Sequence, residues 1–289
     1  MTQTMTLQGK FALITGASQG LGYVIAHHFV EKGANICICA RHAQELARAG
    51  RKIERLTGQE VLTSAADISS PDDVQRLAQL LEDRFQSLDI LVCNAGVHGP
   101  KGPIEEVEWE SWAQAISINL LGTVLCCRAF LPLLRRSERG KILLLSGGGA
   151  TKPMPYLSAY AASKAAVVRF GETLAVELRG SGIDVNCIAP GALNTRLLDG
   201  IIAAGPQRVG RQMYEASLRQ KAEGGAPLEK AAELCAYLAS SAADGLTGKL
   251  ISAVWDPWPE LDQHRGELDG SDIYTLRRIV PRDRGLGWG

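Results

Sequence analysis

Phe11-Ala12-Leu13-Ile14-Thr15-Gly16-Ala17-Ser18-Gln19-Gly20-Leu21-Gly22 carries an apolar run of strand length directly into a glycine turn, and residues 20–32 continue at helical spacing. In an open α/β sheet, ligands sit at the carboxyl ends of the strands, beside the point where strand order reverses. A turn of this kind builds one wall of that crevice. Gly16 permits the tight bend, Gly20 lets the backbone approach a pyrophosphate, and Gly22 lets helix and strand pack closely. The helix that opens there presents unpaired N–H groups and a positive dipole end to the phosphates. A glycine-rich turn alone is weak evidence; its place between a first strand and a helix makes it specific.

The alternation continues outward from this unit. Apolar runs at 36–39, 61–65, 90–92, 142–145, 185–188 and 250–254 predict further strands. They are unbroken rather than alternating, as expected for a sheet covered on both faces. Segments at about 43–56, 71–86, 108–135, 158–179 and 228–239 have helical spacing. Ser70-Pro71-Asp72-Asp73 supplies an N-cap hydroxyl, a proline at the first helical position and acids in the first turn. Gly58 suits the end of the helix before it. Parallel neighbours need a crossover helix, so the fold class is α/β: a doubly wound parallel sheet of about seven strands flanked by helices. Residues 1–254 form one domain and 255–289 a C-terminal extension. Residues 192–226 contain no clear strand and carry Gly200, Gly205, Pro206, Gly210, Gly224 and Gly225, which predicts a lid over the site.

Composition narrows the function classes. The 289 residues hold 31 Lys+Arg and 31 Asp+Glu, a formal net charge of zero. Nucleic-acid binding normally leaves a basic surplus, so that class is set aside. No stretch approaches 18 uninterrupted apolar residues, so no membrane partner is expected. Met1–Leu7 has neither a charged n-region nor an apolar h-region, and the expected compartment is the cytoplasm. Seven cysteines, an odd number without a CxxC pair, read as buried reduced thiols. His27, His28, His42, His98 and His264 lack partners at metal-ligand spacing, so no metal site is expected.

Further motifs stand in order along the chain. Asp67-Ile68 follows the third strand, Cys93-Asn94-Ala95-Gly96 follows the fourth, and Asn119 lies in the long helix. Tyr160-Ala161-Ala162-Ser163-Lys164 and Pro190-Gly191 with Thr195 complete the set. With TGxxxGxG at its start, the chain resembles the classical short-chain dehydrogenase/reductase family over about residues 8–254. The resemblance implies a Rossmann-type fold and a nicotinamide dinucleotide held by Gly16, Ser18, Gln19, Gly20, Leu21, Gly22, Arg41, Asp67, Ile68, Asn94, Ala95, Gly96, Tyr160, Lys164, Pro190, Gly191 and Thr195. It implies interconversion of a secondary alcohol and a ketone on a small molecule, and a homodimer or homotetramer built on the two long helices. Tyr160 and Lys164, four apart, project from one helix face. In the family reading, Tyr160 is the general acid/base and Lys164 lowers its pKa and holds the ribose. Asn119 helps anchor a water relay.

Two positions depart from the pattern or tune it. The family's serine, thirteen residues before the tyrosine, is Gly147 here, within Ser146-Gly147-Gly148-Gly149. Ser146 takes over if the glycine run shifts by one residue; Thr151, Ser158 or a glycine N–H is another donor. A third reading is a cofactor-binding sensor or scaffold with weak or no catalysis. At the end of the second strand the acid typical of NAD-preferring relatives is Ala40, and Arg41 follows. A guanidinium there can pair a 2′-phosphate, with His42 and Ser18 nearby, which favours NADP(H) over NAD(H). Gln19, where many NADP-binding relatives carry a basic residue, argues the other way. Trp255 and Trp258 beside a run of arginines suggest a subunit contact or a cover for the substrate pocket.

Overall fold

The computed structural model describes residues 5–288; Met1–Thr4, part of the segment expected to lack a leader, lie outside the described residues. Strand β1 (Phe11–Thr15) leads into α1 (Gly20–Glu31), β2 (Asn35–Ala40) into α2 (Ala43–Thr57), and β3 (Val61–Ala65) into α3 (Pro71–Arg84). Strand β4 (Ile90–Cys93) precedes the long helix α4 (Trp109–Leu134), and β5 (Gly140–Leu145) precedes α5 (Ser158–Glu177). Strand β6 (Ile183–Ala189) runs to α6 (Arg196–Ala204), α7 (Pro206–Val209) and α8 (Arg211–Glu223). Helix α9 (Leu228–Ala239) then leads to β7 (Leu250–Ser252). The seven strands pair in parallel in the order β3-β2-β1-β4-β5-β6-β7. Order reverses between β1 and β4, which opens the crevice there.

The central strands are buried along their whole length, as their unbroken apolar runs require. One face packs on α1 and α9 through Ile25, Phe29 and Leu238. The other packs on α3, α4 and α5 through Leu81, Phe130 and Val168. Ser70 caps α3 by accepting from the Asp73 N–H at 3.3 Å, and Gly58 ends α2 in the left-handed conformation. All seven cysteines are free and buried. Helix α4 is long and apolar enough by composition to cross a membrane, with mean hydropathy 1.7. Its Cys126, Phe130 and Leu134 are buried in the core, while Leu121 is exposed.

The segment 192–226 is helical where the sequence showed only breaks. Gly205 and Gly210, both at positive φ, cut it into the three helices α6, α7 and α8, so no one period runs through it. The extension lies along the last strand. The Leu250 N–H donates to the Tyr274 carbonyl at 2.8 Å, and the Ser252 N–H to the Asp256 carboxylate at 2.6 Å. Buried Lys249 donates to the carbonyls of Ser271 and Ile273, and buried Glu172 accepts from the Leu276 N–H at 2.6 Å. Trp258 packs on Tyr237 and donates its indole N–H to the Ala253 carbonyl at 3.2 Å, whereas Trp255 is 83% exposed.

Trp258→Ala should therefore cost about 3 kcal/mol of unfolding free energy, at the lower end for a buried large-to-small change. Trp255→Ala should stay within about 0.5 kcal/mol, as for an exposed site. Urea unfolding followed by far-UV circular dichroism compares the two.

Candidate active site

A groove of about 500 Å³ runs along the carboxyl edge of the sheet, from Arg41 and Asp67 at one end to Tyr160 and Lys164 at the other. Gly16, Ser18, Gln19, Gly20, Leu21 and Gly22 form its floor. Ile68, Asn94, Ala95, Gly96, Ser146, Pro190 and Thr195 line the rest. Of the residues expected at the site, Gly191 and Asn119 do not line the groove. Gly191 turns the chain beyond β6 at φ +95°, and Asn119 stands one layer behind.

The groove fits a dinucleotide on local grounds. Gly16 bends at φ +65°, and a Cβ there would stand 2.7 Å from the Ala95 Cα. A Cβ on Gly22 would stand 2.6 Å from the Gly16 carbonyl oxygen. Helix α1 starts without a side-chain cap, so its first N–H groups face the groove unspent. Asp67 is fixed by accepting from the Ser69 N–H and hydroxyl at 2.9 and 2.7 Å. Thr195 caps α6 by accepting from the Leu197 N–H. Arg41 is exposed at the end of β2, with no acid at position 40.

Tyr160 and Lys164 sit at the far end. Lys164 is buried, and its ammonium donates to the Leu145 carbonyl at 2.7 Å. Burial pushes its pKa down to about 8, with the Cys187 and Cys93 thiols acting in the opposite sense. Burial pushes the Tyr160 phenol up to about 12. Burial is the cause that acts on this phenol. The ammonium is aimed at Leu145 and lies 5.8 Å from the centre of the Tyr160 ring. The phenol is thus held protonated, able to donate. Asn119 sits in a π-helical turn of α4, Ser117–Leu121. Its side chain accepts from the Val97 N–H and donates to the Val97 carbonyl, both at 2.8 Å, and to the Ser163 hydroxyl at 2.9 Å. It positions the 96–97 backbone against α5.

With this geometry in view, the comparisons with known proteins are decisive. The family model described as short chain dehydrogenase matches residues 10–204. The chain belongs to the short-chain dehydrogenase/reductase family. It is similar to glucose 1-dehydrogenase of Gluconobacter oxydans, 37% identical over 188 residues, covering 65% of this chain and 70% of that one. It is 34% identical to cis-4-hydroxycyclohexanecarboxylate dehydrogenase of Sinomonas cyclohexanicum over 84% of this chain and 94% of that one. Among solved structures, the RhlG/NADP active-site complex of Pseudomonas aeruginosa matches at TM-score 0.77 and 32% identity. That match covers 87% of this chain and 97% of the other.

In this short-chain dehydrogenase/reductase the position beside the tyrosine is bare. A Cβ on Gly147 would stand 2.7 Å from the Tyr160 hydroxyl, so residue 147, not 146, faces it. The glycine run has made no one-residue shift. The Ser146 hydroxyl lines the groove but donates to the Lys164 carbonyl at 3.3 Å. Ser158 accepts from the Trp112 indole N–H at 3.0 Å, and Thr151 is exposed. Two residues the motifs did not single out also matter. The Thr15 hydroxyl accepts from the N–H groups of Asn94 and Ala95 at 3.0 and 3.1 Å, tying the two turns together. His98, two residues past the Asn94-Ala95-Gly96 turn, stacks edge-on against the Tyr160 ring at 4.6 Å. That nearness to the turn was its only signal in the sequence.

Burial, then the charges of Lys101 and Lys164, push His98 from 6.5 down to about 4. Between those pH values the unfolded chain binds the extra proton, so this residue lowers stability progressively as pH falls through that window. His98→Gln removes the effect. Relative to wild type, its stability by urea unfolding should rise on acidification from pH 6.5 toward 4.

Proposed function

We propose that this family member interconverts a secondary alcohol and a ketone on a small molecule, with NADP(H) favoured over NAD(H). The observation that carries the reading is the partly buried Tyr160 phenol beside Lys164, at one end of a groove whose other end fits a dinucleotide. A nicotinamide bound there supplies or accepts the hydride. Tyr160 donates its proton to the carbonyl oxygen as the alcohol forms, and takes it back in the reverse direction. Lys164, held by the Leu145 carbonyl, places its charge at the ribose end and assists the return of the proton. Asn119 fixes the strand-end backbone that these groups face. Ser146 donates to the Lys164 carbonyl, which leaves Tyr160 as the side-chain donor at the substrate oxygen.

The relatives named for glucose and for a hydroxycyclohexanecarboxylate support an alcohol substrate, and the NADP complex supports the cofactor class. Arg41 beside Ala40 supports the phosphate-bearing form. The seven reduced thiols favour a cytoplasmic setting.

Titration with NADPH and with NADH, read by nicotinamide fluorescence, tests the cofactor assignment. NADPH should bind at least tenfold more tightly, and Arg41→Ala should narrow the gap. Tyr160→Phe should retain cofactor affinity and lose about 10²- to 10⁴-fold in turnover, the usual share of a general acid. A wild type that binds NADPH but turns over no alcohol or ketone would favour the sensor or scaffold reading, for which Gly147 is the supporting residue.

We also place a homo-oligomer contact on α4 and α5, where Leu121 and Val176 are 51% and 64% exposed. Sedimentation velocity should then give a mass of two or four chains; a single chain of 31.0 kDa would remove the contact.

A further inference from the structure

Beside the cofactor groove lies a second cavity of about 380 Å³, between the 97–101 loop, the first turns of α4 and the start of α6. The two spaces share Val97, Ile118 and Leu197 as a common wall. Three cations reach the second one, Arg41, Lys101 and Arg196, and no aspartate or glutamate lines it. Their situations differ. Arg196 is 3.7 Å from Glu45, and Arg41 belongs to the adenosine end of the groove. Lys101 is half-buried, and among the described residues no carboxylate lies within ion-pair reach of it. Its one polar contact is the Gly99 carbonyl at 3.4 Å.

Nearby cations are answered: Lys221 pairs with Asp199 at 2.7 Å, and Arg208 with Glu106 at 3.1 Å. Taking an ammonium partly out of water without a counter-charge is costly, and burial lowers the pKa of Lys101 accordingly. The loop that carries it is nevertheless held firmly. Gly102 donates its N–H to the Tyr156 carbonyl at 3.0 Å. Gly200 of α6 faces the ammonium, and a Cβ there would be in ordinary contact with the Lys101 Nζ at 3.5 Å.

The wall between this cavity and Tyr160 is a single side chain. His98 lines the same cavity, is nine-tenths buried, and its Nδ1 has no hydrogen-bond partner. That Nδ1 is closed off from solvent and the ring is held neutral, so His98 forms an uncharged wall of the cavity. His98 also touches Tyr160, so whatever occupies the cavity is one side chain away from the acid/base.

We propose that this cavity binds a carboxylate carried by the substrate, with the Lys101 ammonium as its counter-charge and His98 separating it from the reacting carbon. One uncompensated ammonium beside a neutral imidazole matches a monoanion. Arg196 is 3.7 Å from Glu45 and Arg41 lies at the adenosine end of the groove, so Lys101 is the cation at the His98 end of the cavity. The word substrate rests on the oxidoreductase reading above; the anion site does not.

Calorimetric titration of the NADP⁺-loaded protein tests it, using 4-oxocyclohexanecarboxylate, 3-oxocyclohexanecarboxylate and 4-oxopentanoate, each beside its primary amide. At least one carboxylate should bind tenfold or more tightly than its amide. Lys101→Met should erase that preference, and Lys101→Arg should keep most of it. The site is overturned if no pair shows the preference or if Lys101→Met retains it. It is also overturned if Lys101→Met weakens NADPH binding by the same factor, since the cavity then serves the cofactor. Turnover of the same ketones with NADPH separates the two readings. A preference for the carboxylate without reduction keeps the anion site and removes the oxidoreductase. Reduction of acid and amide at equal KM does the reverse.

Discussion

The side-chain amide of Asn94 donates to the carbonyls of Thr15 and Gly16 at 2.9 and 3.2 Å, across the gap where strand order reverses. Two parallel strands that diverge at their carboxyl ends would otherwise leave those carbonyls to water. The Thr15 hydroxyl answers with bonds from the N–H groups of Asn94 and Ala95, so the turns after β1 and β4 form one rigid piece. The groove floor depends on it. Gly16 can approach Ala95 so closely only because the two backbones are locked in register, and α1 is aimed by the same turn. At the other end, the bond from Lys164 to the Leu145 carbonyl fastens α5 to β5, which brings Tyr160 to the same edge. A fold-level constraint thus becomes a constraint on catalytic geometry.

The electrostatics at the dyad follow from burial more than from pairing. A phenol pushed up to about 12 and an ammonium pushed down to about 8 both lean toward their neutral forms. That suits a site waiting to give a proton, and leaves the reverse direction dependent on charge brought in by the bound cofactor. Gly147 fits the same logic. With the Tyr160 hydroxyl 2.7 Å from where a Cβ would stand, the phenol occupies space that a side chain would contest. The bareness of position 147 and the placement of the phenol are one packing fact.

The sheet and the groove were legible in the sequence because their signals are local. Unbroken apolar runs mark covered strands, and turn glycines mark backbone approaches no other residue tolerates. The residues that line the groove, from Gly16 to Thr195, came with those elements, since motifs at strand ends are placed by the strands. What the sequence hid depends on distant partners. Whether Ser146 or Gly147 faces Tyr160 is decided by how β5 meets α5, not by either residue. Lys101 and His98 looked like ordinary loop residues because an unpaired ammonium and an orphaned imidazole are defined by what is missing around them. The helices of segment 192–226 were cut by glycine so that no one period ran through it. The extension gave no regular pattern because it is held mainly by backbone groups and single anchors such as Trp258 and Glu172.

That extension settles how the sheet ends. The outward N–H groups of β7 are taken by the Tyr274 carbonyl and the Asp256 carboxylate, so the last rung of the ladder is closed from within. An uncovered edge strand is a template for another chain, in orderly assembly or in aggregation. Here the polypeptide terminates its own lattice, and association through strand addition at this margin is foreclosed while the tail stays docked. Shortening the chain to its last strand would do more than trim a surface: it would give the molecule a sticky border that its present form never shows.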